Sequence, residues 1–171
     1  MDTFKQWSGL HCKAGCGKCC LKPDIEATIL EFIPFAVHLH KNGTAIAWLE
    51  KLNQQESTIC SILNTQGIGG NCSAYAYRGL VCRLFGFSAR TSKYGERELV
   101  TCTTIKTGQP ETFQRATAAV KANAPIPLMR DYYMRLRSID SGLQQEFYPI
   151  NIAIKKAIET VLHYYAYREE V

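Results

Sequence analysis

The sequence contains no apolar run approaching the roughly 18 residues that a membrane-spanning helix needs, so no membrane partner is expected. The first residues, Met1-Asp-Thr-Phe-Lys-Gln-Trp-Ser-Gly, show no basic segment followed by an apolar one, so a secretory signal is not expected either. The expected localisation is cytoplasmic, where thiols stay reduced. No phosphate-binding P-loop, Rossmann glycine fingerprint, HExxH or GxSxG occurs, which removes the enzyme classes those motifs mark. An excess of one charge is lacking too. The chain has 20 Lys and Arg against 15 Asp and Glu, a net +5. Its densest basic stretch, Arg130, Arg135 and Arg137, is interrupted by Asp131. That pattern reads as a solvated helix face, so no nucleic-acid partner is expected. Finally, no cysteine lies beyond Cys102.

All eight cysteines therefore crowd into the first part of the chain. Four fall in Cys12-Lys-Ala-Gly-Cys16-Gly-Lys-Cys19-Cys20, and the others are Cys60, Cys72, Cys82 and Cys102. Thiols at this density call for a metal, a metal cluster or disulfides. A reducing compartment argues against disulfides, and neighbours such as Cys19 and Cys20 rarely meet disulfide geometry. Metal ions are the expected partners. Bound thiolates would also subtract charge, so part of the apparent basicity would balance the site.

At 171 residues, with 46% hydrophobic and 20% charged residues, the chain is expected to form a single domain over 1–171. The expected fold class is mainly α: a small helical domain with a cysteine-rich, metal-binding N-terminal half and one short β-hairpin. Pro23-Asp24 suggests a helix start, with Ile25, Ile29, Phe32 and Ile33 at helical spacing and Pro34 as its end or kink. Asn42-Gly43 is a stop signal, and Thr44 can cap a second helix carrying Ile46, Leu49 and Leu52. Gly67-Ile-Gly-Gly70-Asn reads as a turn or open loop. Phe85–Arg90 and Arg97–Cys102 flank turn chemistry at 92–96, which predicts a hairpin bracketed by Cys82 and Cys102. Three core-forming helices are expected over Glu111 to Ala122, Leu128 to Ile139 and Ile150 to Arg168. They would support the cysteine half.

Thiolates are soft ligands suited to zinc or iron–sulfur clusters. Zinc knuckles place two to four residues between paired cysteines. The C-x3-C-x2-C-C run is denser than one tetrahedral zinc needs. Adjacent cysteines are expected to point apart, so Cys19 and Cys20 would serve different metals or different irons of one cluster. Gly15 and Gly17 would let the backbone wrap closely and aim N–H groups at sulfur. An iron–sulfur cluster is favoured over Zn2+ on these grounds.

The run Cys12–Cys20 resembles the signature of the CxxCxxCC, or YkgJ-type, family of zinc- or iron-chelating cysteine-cluster proteins. The segment Cys72-Ser-Ala-Tyr75-Ala-Tyr-Arg78-Gly79-Leu-Val-Cys82-Arg83-Leu-Phe85 is similar to the family's second signature, with Gly79 where the family has proline. Cys60-Ser-Ile-Leu63 is similar to the family's cysteine just before a leucine. The resemblance covers a module of about 10–102, leaving 109–171 as supporting helices. It implies metal binding through Cys12, Cys16, Cys19, Cys20, Cys60, Cys72, Cys82 and Cys102.

Arg78 and Arg83 lie inside the second motif and are candidates to neutralise thiolate charge or hydrogen-bond sulfur. Tyr75 is a candidate to pack over the site. One branch of the family carries this module in enzymes that methylate flagellin lysines, which implies a protein partner or substrate. C-x3-C-x2-C is also the spacing of radical S-adenosylmethionine enzymes, although this chain is too short for their barrel. Two classes stay open: a cluster protein with a structural, electron-transfer or metal-handling role, and an enzyme using the cluster. His11, beside Cys12, reads as exposed. His38 and His40 do not share a helix face. His163 reads as a surface residue.

Overall fold

A computed structural model describes residues 2–12, 16–66 and 70–168. The fold is mainly α, with eight α-helices among the described residues. Helix α1 spans Asp2–Ser8. After a 3-10 turn at Lys18–Leu21 come β1 (Glu26–Ala27), α2 (Ile29–Lys41) and α3 (Ala45–Gln54). Next are β2 (Leu63–Asn64), β3 (Asn71–Cys72), a 3-10 turn at Tyr75–Tyr77 and α4 (Leu80–Leu84). The hairpin β4 (Ser88–Thr91) and β5 (Arg97–Val100) precedes α5 (Thr103–Gly108), α6 (Pro110–Lys121) and α7 (Met129–Arg137). The chain closes with β6 (Tyr148–Pro149) and α8 (Ile150–Ala166). No helix among the described residues is long and apolar enough to cross a membrane.

The chain divides into two compact units, each built from two separated stretches. The first comprises Met1–Ala14 and Cys82–Ile139, the second Gly15–Val81 and Asp140–Val171.

In the first unit the predicted hairpin forms, with Ser88 opposite Val100 and Thr91 opposite Arg97. Its core gathers Phe4, Leu10, Phe87, Ala89, Ile105, Ala116, Val120 and Ile126. Helix α6 starts at Pro110, whose fixed φ and missing N–H suit a first helical position. Helix α7 also forms, but none of its residues is buried, so it is not the core-forming helix its pattern suggested. Its flank contributes instead, through Leu128, which packs partly buried against the core.

The second unit is built on α2 and α8, which pack together, with α3 packed on α8. Phe32, Phe35, Ala36 and Leu39 face Ile150, Ala153, Ile154, Ala157, Ile158 and Val161, all buried. Each such fully buried Ile or Phe contributes about 1.5–3 kcal/mol. Helix α2 begins at Ile29, not at Pro23-Asp24. Thr28 and Glu31 form a capping box there, with Thr28 N–H donating to Glu31 Oε1 at 2.9 Å. The residues before it pair with β6 instead, Glu26 opposite Pro149. Pro34 lies inside α2 and does not end it. Burial of Phe35, Ala36 and Leu39 beyond it outweighs the lost backbone bond. Thr44 stands at the start of α3, but its hydroxyl bonds Leu39 O at 3.3 Å rather than capping. On α3 Leu52 is buried while Ile46 is 57% exposed, so only part of that stripe faces inward.

Candidate metal centre

Five of the eight cysteines belong to the second unit: Cys16, Cys19, Cys20, Cys60 and Cys72. The first group is set by Gly17. Its carbonyl accepts from Cys20 N–H at 2.9 Å and closes the 3-10 turn that carries Cys19 and Cys20. A Cβ at Gly17 would stand 2.8 Å from Leu63 Cδ1 and 2.9 Å from the Gly70 carbonyl carbon. Glycine is therefore required for this turn to lie against the ends of β2 and β3. Gly15 lies outside the described residues, as do 67–69 of the predicted loop. Gly70 itself takes a left-handed φ of 65°, which lets the chain turn into β3.

The expectation that adjacent cysteines point apart does not hold. The tight turn brings the two thiols near enough for Cys19 to donate a hydrogen bond to Cys20. Cys20 in turn donates to Cys60, a residue forty positions further on. Cys72 lies close enough for its charge to act on Cys20. Cys72 is placed by the β2–β3 pair, where it stands opposite Leu63. Cys20 and Cys60 are buried, and Cys16, Cys19 and Cys72 are half-buried.

Cys60 sits in a loop between α3 and β2 whose preceding residues, 53–59, are all exposed. Cys60, Ser61 and Ile62 are buried at its far end, and side-chain hydrogen bonds hold the exposed part. Asn151, in the first turn of α8, accepts from Ser61 N–H at 2.8 Å. Its amide nitrogen donates to Ser57 O and to Ile59 O, each at 2.8 Å. Lys51 Nζ donates to Ser61 O at 3.1 Å. Cys60 N–H donates to Cys20 O at 3.3 Å, which ties the two cysteine segments through their backbones. None of these anchors was singled out in the sequence, since a lone Asn or Lys on a helix carries no motif.

Cys19 and Cys20 hold their protons tightly. Cys19 is pushed far above the ordinary thiol range, first by its hydrogen bond to Cys20, then by burial and the neighbouring Cys20 charge. Arg78 acts the other way on Cys19. For Cys20, the bond received from Cys19 lowers the pKa. The bond to Cys60, burial and the charges of Cys60 and Cys72 outweigh it and raise the value to about 11. Charge on Cys20 thus disfavours charge on Cys19, and charge on Cys60 or Cys72 disfavours it on Cys20, in the absence of a cation.

The charge of Arg78, a predicted site residue, acts on the Cys19 thiol. Its guanidinium also stacks over Tyr75 at 4.9 Å, while Tyr75 is 68% exposed and turned to solvent. The segment after Arg78 is drawn onto α2. Val81 N–H donates to the buried carboxylate of Glu31 at 2.7 Å. A Cβ at Gly79 would lie 2.9 Å from Phe32 Cζ.

The other three cysteines belong to the first unit. Cys102 is half-buried at the N-terminus of α5, where its sulfur accepts from Ile105 N–H at 3.4 Å. Cys12 is exposed and lines a cavity of about 420 Å³ with His11, Cys102 and Gln109. His11 is exposed, and its backbone is clasped by the Gln109 amide, whose nitrogen donates to His11 O at 2.7 Å. Cys82 is half-buried on α4 and Arg83, beside it, is exposed. The remaining histidines stack on aromatic rings of the second unit: His38 on Tyr77 at 4.3 Å and His40 on Tyr165 at 4.1 Å. His163 meets Tyr167 edge-on at 4.6 Å.

Among the described residues no three His, Cys, Asp or Glu side chains already converge as a metal cage. The chemistry of the donor set nonetheless fits a soft metal. It is all thiol, linked by thiol–thiol hydrogen bonds, with mutual repulsion that a cation would reverse. Loading requires the sulfurs to close in from the arrangement seen here.

A family model matches residues 11–113 of the chain: CxxCxxCC, described as "Putative zinc- or iron-chelating domain". No curated protein and no solved structure matches the chain.

Proposed function

The chain belongs to the CxxCxxCC family, and on that premise we propose that it is a metal-binding protein whose centre is nucleated by Cys19, Cys20, Cys60 and Cys72. The hydrogen-bonded run Cys19–Cys20–Cys60, with Cys72 within charge range, supports this most. Cys16 continues the same knuckle. Cys12, Cys82 and Cys102 are candidate ligands within the first unit. Arg78 offsets part of the thiolate charge.

The native load in this reading is an iron–sulfur cluster. Zinc knuckles separate paired ligands by two to four residues, and no residue separates Cys19 from Cys20. A pair of neighbouring thiols that interact with each other suits two irons of one core. When bound, such a cluster supplies reversible one-electron chemistry or a fixed structural node. Zinc is the second reading, favoured by the count of four grouped thiols, the set one tetrahedral ion takes.

The chain's own contribution is to hold the donors. Gly17 closes the turn, the β2–β3 pair presents Cys72, and the 53–61 loop presents Cys60. The test is anaerobic purification of the reduced protein with iron, zinc and acid-labile sulfide measured per chain. Iron with equimolar sulfide supports the cluster, and stoichiometric zinc without sulfide supports the second reading. Less than one equivalent of any metal overturns both.

A further inference from the structure

We infer that Asn151 is a positioning residue of the metal centre, an α8 side chain that fixes where the Cys60 thiol stands relative to Cys20. The inference rests on the reading that Cys60 is a ligand.

The geometry is specific. Asn151 makes three hydrogen bonds of 2.8 Å, and all three go to backbone on the two sides of Cys60. Ser57 O and Ile59 O receive its two amide protons, and Ser61 N–H donates to its carbonyl oxygen. One primary amide supplies two donors and an acceptor in a fixed plane, which is the set this loop needs. Asp would keep the acceptor and place a second oxygen against two carbonyls. Ala would leave all three backbone groups to solvent.

Ser61 Oγ also donates to Gln55 Oε1 at 2.9 Å, a side-chain bond that spans the loop, but it leaves the backbone on the near side of Cys60 to Asn151. Residues 53–59 are exposed, and the buried apolar side chains nearest to them are Leu52 before the stretch and Ile62 beyond Cys60. Lys51 reaches only the Ser61 carbonyl, beyond Cys60. Cys60 is itself only 6% exposed, with its N–H on Cys20 O, so a small shift of the loop moves its sulfur against Cys20. Asn151 also lies outside residues 11–113 that the family model covers. In this chain a helix beyond the family module therefore orients one of the module's cysteines. Groups that orient ligands without touching the metal carry about 10- to 100-fold in metal affinity.

The test uses the full chain, reduced and metal-free, titrated anaerobically with Co2+ and read by thiolate-to-cobalt charge-transfer absorption. The variants are Asn151→Asp, Asn151→Ala, Cys60→Ser and Ile158→Val. The last thins the same helix away from the loop and reports plain loss of stability. A second readout is the alkylation rate of Cys60 in the native metal-free protein, mapped by mass spectrometry. It needs no metal and works for whichever Asn151 variant folds.

The expected result is Co2+ affinity weakened about 10- to 100-fold in both Asn151 variants. Their charge-transfer band should move toward that of Cys60→Ser, with Cys60 alkylated at least several-fold faster. Ile158→Val should lower the melting temperature and leave both readouts unchanged. If Cys60→Ser loses a thiolate from the cobalt spectrum while the Asn151 variants keep wild-type affinity and alkylation, the inference is overturned and the metal centre stands. The inference is also overturned if the Asn151 variants change no more than Ile158→Val. If Cys60→Ser binds cobalt like wild type, Cys60 is no ligand, and the reading beneath the inference falls.

Discussion

The Cys19 thiol donates a hydrogen bond to the sulfur of Cys20, its neighbour in the chain. Adjacent residues in extended backbone would point their side chains to opposite sides. The 3-10 turn at Lys18–Leu21 removes that alternation. The pair then connects onward to Cys60, so local turn geometry and one long-range contact bring these three thiols together.

Metal-free protein should lose stability in mild alkali. The folded chain raises Cys20 from an ordinary 9.0 to about 11 and raises Cys19 further, so it holds these protons more tightly than the unfolded chain. The contribution is complete below about pH 9 and is lost as pH rises through about 11. Melting temperature followed across this window should fall more steeply in wild type than in Cys20→Ser. Equal slopes would show that Cys20 is not the titrating group.

The same raised values protect the thiols from alkylation. At about pH 8 Cys20 should react with iodoacetamide at least tenfold more slowly than exposed Cys12, because the thiolate is the nucleophile. The Cys20 rate should climb about tenfold per pH unit until about pH 11. Site-resolved mass spectrometry checks this, and a flat pH profile would count against it.

Gly17→Ala should cost about 1–3 kcal/mol and lower metal content with it. The added Cβ meets Leu63 Cδ1 at 2.8 Å and the Gly70 carbonyl carbon at 2.9 Å. Trimming the leucine cannot clear the backbone. Leu63→Ala should therefore fail to rescue Gly17→Ala in a denaturant titration, and full rescue would show that Leu63 alone sets the limit.

Gly79 lies against Phe32 with no room for a side chain, although its neighbour's backbone would accept a proline there. Arg78, at φ −57° and ψ 135°, already has the backbone that a following proline requires. The obstacle is Phe32, whose Cζ would lie 2.9 Å from a Cβ at Gly79. Gly79→Pro should destabilise by about 1–3 kcal/mol through overpacking. In a double-mutant cycle, Phe32→Leu should recover part of that loss. Additive effects would mean that Phe32 is not the obstacle.

The helices at α6 and α8, the β4–β5 hairpin and the cysteine motif were legible in the sequence, because each rests on local signals. Pro110, the turn residues at 92–96 and the stripe from Ile150 to Val161 all act within a few positions. What escaped depends on distant residues. Glu26 pairs with Pro149, which moves the start of α2 to the Thr28–Glu31 capping box. Asn151 acts ninety positions away on Ser61, and a single helical Asn gives no sign of it. Helix α7 shows a repeat in sequence yet buries nothing. Its repeat is mixed with Arg130, Arg135 and Arg137, which keep the helix on the surface.

The central claim is that thiols of the second unit bind metal and that the binding stabilises the fold. The most direct measurement is metal content and melting temperature of anaerobically purified wild type beside Cys20→Ser and Cys72→Ser. Wild type should hold at least one metal per chain, and both variants should lose metal and melt at lower temperature together, since binding energy is folding energy here. Helical signal from α8 should persist in part, because its buried stripe of Ile154, Ile158 and Val161 contains no thiol. Full metal content with unchanged melting in both variants would contradict the account.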